Sequence, residues 1–179
     1  MGAKEAKPVC RLELLYTVEI AGYQGDLTLV MERPEHFSVT INGQPVTENV
    51  DRFWVDICYS SLRLPKELLR QGQNTLQISC DFKTTINLES VFLLGDFAVR
   101  LIEDQKALLP LPEAVTASDL TTQGFPFYSG AFTYVFDLPE GARPGAKVVL
   151  GAFDGACAKL SGGGEEEQIS FKPFEGVLK

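Results

Sequence analysis

The chain has 179 residues, of which 45% are hydrophobic and 22% charged, proportions typical of a folded globular protein. This composition excludes a disordered tail, a collagen-like fibre and a disulfide-stapled miniprotein. The 16 basic and 24 acidic residues give a formal net charge of −8. Because so acidic a surface repels phosphate groups, neither nucleic acid nor a membrane is expected as a partner.

Strand patterns dominate the first half of the sequence. Short runs in which apolar and polar residues alternate, rich in β-branched and aromatic side chains, predict strands. These runs lie at residues 11–20, 26–31, 37–41, 44–46, 52–57, 74–80, 88–94 and 97–102. Asn42-Gly43 predicts a two-residue hairpin turn, because both positions of a type I′ turn need positive φ. Residues 65–70 begin with proline and precede Gly72, which predicts a single helical turn.

The second half begins with residues 108–113, whose two prolines predict a connector laid across the surface. Residues 161–164 include three successive glycines and are expected to form a flexible loop. Because no helical pattern alternates with the strands, a parallel α/β sheet is disfavoured. The prediction is an all-β chain that forms an antiparallel β-sandwich. Further strands are expected at residues 131–138, 147–150, 157–160 and 168–171.

The two halves resemble each other in the order of their strand patterns. The order found in residues 16–57 recurs in residues 134–174. The first copy continues into the strand at 74–80, whereas the second copy ends before any such strand. We therefore expect a first sandwich repeat at residues 9–104, and a connector with an incomplete second repeat at 105–179. A chain that is a fragment of a longer polypeptide is the favoured explanation, and coincidental strand patterning is the alternative.

The four cysteines, Cys10, Cys58, Cys80 and Cys157, are far apart and show neither CxxC nor Cys/His ligand spacing. Each lies in an apolar, strand-like setting, so we expect free, buried thiols. A single disulfide, for instance Cys58–Cys80, is the alternative. Neither a secretory signal nor an apolar run long enough to span a membrane is found, which favours the cytoplasm.

Two longer motifs carry a family resemblance. NLESVFLLGDF at residues 87–97 and QGFPFYSGAFTY at 123–134 resemble the accessory β-sandwich regions of bacterial family 2-type glycoside hydrolases. Two shorter motifs, INGQPV at 41–46 and LRQGQNTL at 69–76, support this resemblance. The resemblance implies a galactose-binding-like jelly roll, associated with carbohydrate and with other domains of a parent polypeptide. It does not imply the catalytic barrel, since a β/α barrel needs about 250 residues.

Candidate catalytic groups are few, and each has a simpler interpretation. His36, the only histidine, lies in a predicted turn, which favours a solvated role over that of a base. Ser129 lacks the Gly-x-Ser-x-Gly setting of an exposed nucleophile. Glu89 and Asp96 flank a predicted strand, where turn formation and solvent exposure explain them better than a pair of glycosidase carboxylates. Neither a cofactor nor a metal site is predicted.

Sugar recognition needs flat apolar surface and planar hydrogen-bonding groups. In a continuous strand over residues 52–57, Trp54 and Asp56 share one face. If that face is exposed, they form an aromatic–polar patch; if it is buried, Trp54 anchors the core. A second candidate is the aromatic loop at 123–128, which either presents Phe127 or Tyr128 outwards or packs on the sandwich or a neighbouring domain.

These patterns predict a non-catalytic module that binds carbohydrate weakly, by stacking on an aromatic side chain and by a few hydrogen bonds. The alternative is a purely structural or docking module without a sugar ligand. An autonomous hydrolase would need two facing carboxylates in a cleft. The expected carbohydrate-binding residues are Trp54, Asp56, Asp96, Gln123 and Tyr128.

Overall fold

A computed structural model describes residues 7–102, 105–151 and 155–178. Along these residues the chain is all-β, with short 3₁₀ turns at Pro34–His36, Lys66–Leu68 and Leu120–Gln123. No helix among them has the length and apolar character needed to cross a membrane. The strands are β1 (Cys10–Ile20), β2 (Leu27–Glu32), β3 (Ser38–Ile41), β4 (Gln44–Pro45), β5 (Asn49–Trp54), β6 (Asp56–Leu64), β7 (Gly72–Phe82), β8 (Phe92–Leu94), β9 (Phe97–Ile102), β10 (Gln105–Pro110), β11 (Lys147–Val149), β12 (Ala158–Gly162), β13 (Glu165–Ile169) and β14 (Glu175–Val177).

The chain divides into two compact units. The N-terminal unit comprises the described residues up to Ala114 together with Thr121–Phe127, which return to it. The C-terminal unit comprises Val115–Leu120 and the described residues from Tyr128 onward. The boundary predicted between residues 104 and 105 adjoins positions outside the described residues.

Two sheets form the N-terminal unit. The larger has six strands in the order β4-β3-β7-β1-β10-β9, and the smaller has four in the order β5-β6-β2-β8. β1 and β7 pair antiparallel along their whole length, from Cys10 opposite Phe82 to Ile20 opposite Gly72. The pair β1–β10 is parallel, which departs from the expectation of purely antiparallel sheets. In the C-terminal unit β11 pairs with β14 and β12 with β13, both antiparallel.

Side chains from both sheets of the N-terminal unit form one apolar core. Alternate residues along each strand point to the same face, so each sheet contributes one set of side chains to this layer. Two sheets that enclose a common core have the architecture of a β-sandwich, which agrees with the predicted all-β class. The buried core residues are Ile20, Val39, Ile41, Leu76, Ile78 and Leu108 from the six-stranded sheet and Leu27, Leu29, Met31, Leu62 and Leu64 from the four-stranded sheet.

The predicted Asn-Gly hairpin is confirmed. Asn42 and Gly43 have φ of 51° and 79°, and Ile41 pairs with Gln44 across the turn. The Asn42 side chain also accepts a hydrogen bond from the backbone N–H of Thr75 at 3.1 Å. The turn is therefore fixed both by its own backbone and by β7.

The structure differs from the sequence-based predictions in three segments of the second half of the chain. Residues 108–110 belong to β10, since Leu108 is buried opposite Val99, and so do not form a surface connector. Residues 131–138 form no strand, because alternation within a segment does not by itself supply a partner. The expected flexible loop at 161–164 instead ends β12 and turns tightly into β13, with Gly163 and Gly164 at φ of 63° and 87°.

All four cysteines are free thiols, as predicted. The prediction that they are buried is wrong for three of them. Cys80 is buried, whereas Cys10, Cys58 and Cys157 are exposed. The alternative Cys58–Cys80 disulfide is absent, and these cysteines lie on β6 and β7 in different sheets.

Candidate functional site

A hairpin replaces the continuous strand predicted over residues 52–57. β5 ends at Trp54 and β6 begins at Asp56, and these two residues pair across the turn with Val55 between them. Val55 has φ of 62°, a left-handed conformation that a β-branched residue adopts rarely. The sequence offers neither glycine, proline nor asparagine here, and Asp56 is its one residue common in turns, so the alternation predicted a continuous strand instead of a hairpin. The predicted continuous strand is therefore wrong, whereas Trp54 and Asp56 still adjoin each other as a cross-strand pair.

Asp56 is held at this turn by the residue two positions later. Its Oδ1 accepts a hydrogen bond from the backbone N–H of Cys58 at 2.8 Å. This bond, together with one from the Cys58 thiol, lowers the pKa of the Asp56 carboxyl below its ordinary value. The same carboxylate raises the pKa of Cys58, so the exposed thiol is not activated as a nucleophile. Asp56 is thus an exposed, ionised acceptor.

Trp54 packs into a cluster of three aromatic side chains. Its ring centroid lies 4.9 Å from that of Phe92, with an interplanar angle of 49°. Tyr59 meets Phe92 edge to face, with centroids 5.7 Å apart. Aromatic pairs favour such tilted and edge-on arrangements. We call Trp54, Tyr59 and Phe92 the aromatic cluster.

The aromatic cluster lies on the outer face of the four-stranded sheet. Val30 pairs with Ser61 on one side and with Phe92 on the other, so these three side chains share a face. Leu29 and Met31, the neighbours of Val30 along β2, point into the core, and the row containing Phe92 therefore points away from it.

Val30 and Ser61 are nevertheless almost completely buried, with 0% and 2% of their surfaces exposed. Val30 has Phe92 of the aromatic cluster as its cross-strand neighbour, and Ser61 has Val50. Trp54, Tyr59 and Phe92 are themselves half-buried. Trp54 is thus neither a core anchor nor a fully exposed side chain, but part of a shallow outer platform.

Next to the aromatic cluster, the end of the β5–β6 hairpin carries three exposed apolar side chains. Phe53, Val55 and Ile57 are 61%, 84% and 80% exposed. Isolated exposed apolar residues are ordinary, but three within one turn indicate a contact surface. We call Phe53, Val55 and Ile57 the apolar hairpin tip.

Asp96 lies far from Trp54 and Asp56. It follows β8 beyond Leu94, which pairs with Thr28 near the start of β2. Asp56 lies at the opposite end of the same sheet, and β6 extends eight residues from it to Leu64, a span of about 26 Å at 3.3 Å per residue. Asp96 lies near Tyr23 instead, because burial first and then the charges of Asp96 and Asp26 raise the pKa of the Tyr23 hydroxyl. The exposed Asp96 therefore lies at the other end of this sheet from Asp56.

Gln123 and Tyr128 fall in different units. Gln123 ends a 3₁₀ turn in the segment that returns to the N-terminal unit, where the carbonyl of Gly124 accepts a hydrogen bond from the Val99 N–H at 2.8 Å. This contact fixes the loop against β9. Tyr128 belongs to the C-terminal unit, and its hydroxyl donates to the carbonyl of Ala131 at 2.6 Å. Tyr128 remains about half exposed.

Of the five predicted binding residues, the structure thus brings together Trp54 and Asp56. Reasoning from sequence missed Tyr59 and Phe92, whose proximity depends on the pairing of β6, β2 and β8. Among the residues that the structure describes, no three side chains of His, Cys, Asp or Glu lie close enough to hold a metal ion. No protein-family model matches this chain, and no curated protein matches it.

Proposed function

We propose that the chain is a non-catalytic, carbohydrate-associated module of a larger glycoside hydrolase, with a galactose-binding-like jelly-roll fold. The aromatic cluster on the outer face of the four-stranded sheet is the observation that carries this proposal. It provides partly exposed apolar ring surface, and Phe92 in it pairs with the buried Val30 of the same sheet.

The chemistry of the cluster suits a weakly held pyranose. The CH face of a sugar stacks on aromatic rings, while its hydroxyl groups need acceptors at the rim. Asp56 pairs with Trp54 across the hairpin and offers carboxylate oxygens there, with a pKa below its ordinary value because Cys58 donates hydrogen bonds to it. A shallow platform buries only part of a ligand, so we expect dissociation constants of about 0.1–10 mM.

The test is a sugar titration read out by the fluorescence of Trp54, the only tryptophan of the chain. Galactose, glucose and short oligosaccharides of each are added to the full chain, and a saturable change in Trp54 emission is expected. Calorimetry on Trp54→Ala, which lacks the reporter, should show the binding heat lost.

The matched control is Phe127→Ala, which removes an aromatic side chain that is 67% exposed but lies in the loop at β9. Sugar affinity should be unchanged in this variant and at least about fivefold weaker in Tyr59→Leu. The absence of saturable binding with every sugar would reject the proposal.

A second candidate function is docking on a protein surface, such as that of a second copy of this chain, without a sugar ligand, and the apolar hairpin tip favours it. Ile57→Asp places a charge on a side chain that is 80% exposed, so it should abolish an apolar contact without disturbing the core. A wild-type chain that binds no sugar and self-associates with increasing concentration, while Ile57→Asp stays monomeric, would favour docking over carbohydrate binding.

A further inference from the structure

Residues 133–138 of the C-terminal unit expose large apolar side chains to solvent. Val135, Phe136 and Leu138 are 92%, 60% and 51% exposed. These residues form no strand, helix or turn, and no strand among the described residues pairs with them. Single exposed apolar residues are ordinary, but three within four positions indicate a contact surface. We call residues 133–138 the exposed segment.

The exposed segment has the side-chain pattern of a β-strand. Tyr134, Phe136 and Leu138 are apolar and lie at alternate positions. The ring of Tyr134 lies 5.2 Å from that of Phe132, two residues earlier, as expected where side chains two apart share one side of extended backbone. Among the described residues, no backbone hydrogen bond involves the exposed segment. Its N–H and C=O groups can therefore join a ladder.

β1 shows what the same pattern does beside a partner. The strand pattern of residues 134–138 repeats that of residues 16–20. Residues 16–20 lie in β1 and pair antiparallel with β7, from Tyr16 opposite Leu76 to Ile20 opposite Gly72. An antiparallel strand is thus the partner that suits this pattern.

We propose that the exposed segment pairs antiparallel with the exposed segment of a second copy of this chain, which forms a two-fold dimer. Strand addition gives the backbone groups their hydrogen bonds and covers the apolar side chains. A second copy presents the same edge and the same side chains, so one contact serves both chains. Because each copy uses the same edge, the contact closes at two subunits.

The apolar pattern selects the register of this pairing. Residues directly opposite each other in a ladder lie on the same face. When Val135 lies opposite its own counterpart, Tyr134 lies opposite Phe136, so the aromatic side chains of both copies share one face. The same register leaves Pro139, which has no N–H to donate, outside the paired residues.

The charge of the exposed segment permits the contact. Asp137 is its only charged residue, although the whole chain has a net charge of −8. In the antiparallel register Asp137 lies opposite Thr133, whereas a parallel pairing in register would set the two carboxylates side by side. A contact between residues 133–137 of two copies buries less than the roughly 1,200 Å² of a stable interface, so we expect a dissociation constant of about 10–500 μM.

The proposal goes beyond the proposed function and does not depend on it, since the exposed segment and the aromatic cluster lie in different units. The test is sedimentation equilibrium of the full chain up to about 1 mM, where a monomer–dimer equilibrium is expected. Raising the salt concentration should strengthen the dimer, because salt screens the repulsion between two acidic chains. Amides of residues 133–137 should exchange at least about tenfold more slowly in the dimer.

Val135→Asp and Val135→Lys should each weaken the dimer at least about tenfold, because like charges then lie opposite each other at the two-fold axis. An equimolar mixture of the two variants should associate again, since opposite charges then meet. Val135 is almost fully exposed, so neither substitution disturbs the core. Circular dichroism verifies the fold of each variant.

The matched control is Phe171→Asp, which replaces an apolar side chain that is 84% exposed in the same unit but outside the exposed segment. Ile57→Asp is the second control, because it alters the apolar hairpin tip. Both variants should dimerise as tightly as the wild type.

Five results would overturn the proposal: a wild-type chain that stays monomeric at about 1 mM, aggregates that grow beyond the dimer, unchanged association in Val135→Asp, no association in the mixture of the two Val135 variants, or loss of the dimer in either control. Trp54→Ala should dimerise like the wild type. Failure of sugar binding with the dimer retained would reject the proposed function and leave this contact standing.

Discussion

At the scale of single residues, Asn74 shows how one buried amide joins several segments. Its side chain is completely buried, and its Oδ1 accepts hydrogen bonds from Asn42 Nδ2 at 2.8 Å and from the Arg70 N–H at 3.0 Å. Its Nδ2 donates to the carbonyls of Arg70 and Gly72. The amide thereby ties the β3–β4 turn to the chain that leads into β7.

Asn74→Ala should lower the free energy of unfolding by about 2–4 kcal/mol, since it leaves several buried polar groups without partners. Urea denaturation measures the change. Gln73→Ala is the matched control, because Gln73 is exposed and only its backbone carbonyl accepts a hydrogen bond, from Arg70 Nε. The control should change stability by less than about 0.5 kcal/mol. Similar losses in both variants would contradict the role assigned to Asn74.

Asp26 is the residue from which we predict a dependence of stability on pH. A hydrogen bond from the Lys66 backbone N–H, and then one from Arg63, lower the pKa of its carboxyl below the ordinary 3.8. A lowered folded-state pKa means that the stabilisation is present above pH 3.8. It is lost as pH falls through the lower folded-state value.

Asp26→Asn should therefore reduce stability at pH 7, and its deficit relative to wild type should shrink as pH falls below about 4. Urea midpoints at neutral and acid pH test this. Asp81→Asn is the control, because Asp81 is exposed and its contact with Arg11 is long at 3.4 Å. A deficit in Asp26→Asn that stays constant with pH would count against the hydrogen-bonded carboxylate as its source.

At the scale of elements, the β5–β6 hairpin turns at a residue poorly suited to the turn. Val55 has φ of 62°, which costs a β-branched residue about 1–2 kcal/mol. Val55→Asn should raise the free energy of unfolding by about 0.5–1 kcal/mol, because asparagine tolerates this conformation. Thermal denaturation measures it. Ile57→Asn, at an exposed position of the same hairpin without positive φ, should give no gain, and an equal gain would contradict the strain argument.

The loop that returns to β9 depends on Gly124. A Cβ at this position would lie 2.8 Å from the Ala98 Cβ, and φ is 102°. Gly124→Ala should therefore destabilise by about 1–3 kcal/mol through conformational strain and a clash. Gly43→Ala, where φ is also positive but no atom lies within 4 Å, should cost less, since only the strain applies. Equal losses in chemical denaturation would exclude the clash.

At the scale of the whole molecule, the two units differ in how much core they have. Nearly all buried apolar side chains of the described residues belong to the N-terminal unit, and Ile169 is the one in the C-terminal unit. Local opening needs less free energy where fewer apolar contacts must be broken. The C-terminal unit should therefore open at a lower free energy than the N-terminal unit.

Hydrogen exchange followed by mass spectrometry tests this difference. Amides of β1 and β7 should exchange at least about 100-fold more slowly than those of β11 and β14, because the former pair along eleven positions inside the sandwich. The edge strand β4 is an internal control within the N-terminal unit, and its few pairings predict fast exchange. Equal protection in β7 and β14 would show that the units unfold together.

The sequence alone determined the parts of this protein that depend on local pattern. The strands β1 and β9 and the Asn42-Gly43 turn follow from alternation and from the φ that a turn requires, which neighbouring residues specify. The all-β class follows from the same patterns repeated along the chain. Of the candidate site, the sequence supplied Trp54 and Asp56 but placed them on one continuous strand.

Only the tertiary structure decided where partners lie. β10 forms a strand because β1 and β9 lie on either side of it, and residues 131–138, whose alternation predicts a strand, form none. Tyr59 and Phe92 reach Trp54 because β6 and β8 flank β2, and Arg11 reaches Ser79 because β1 flanks β7. Strand pairing joins residues far apart in the chain, and its free energy depends on both partners, so it cannot be read from either segment alone.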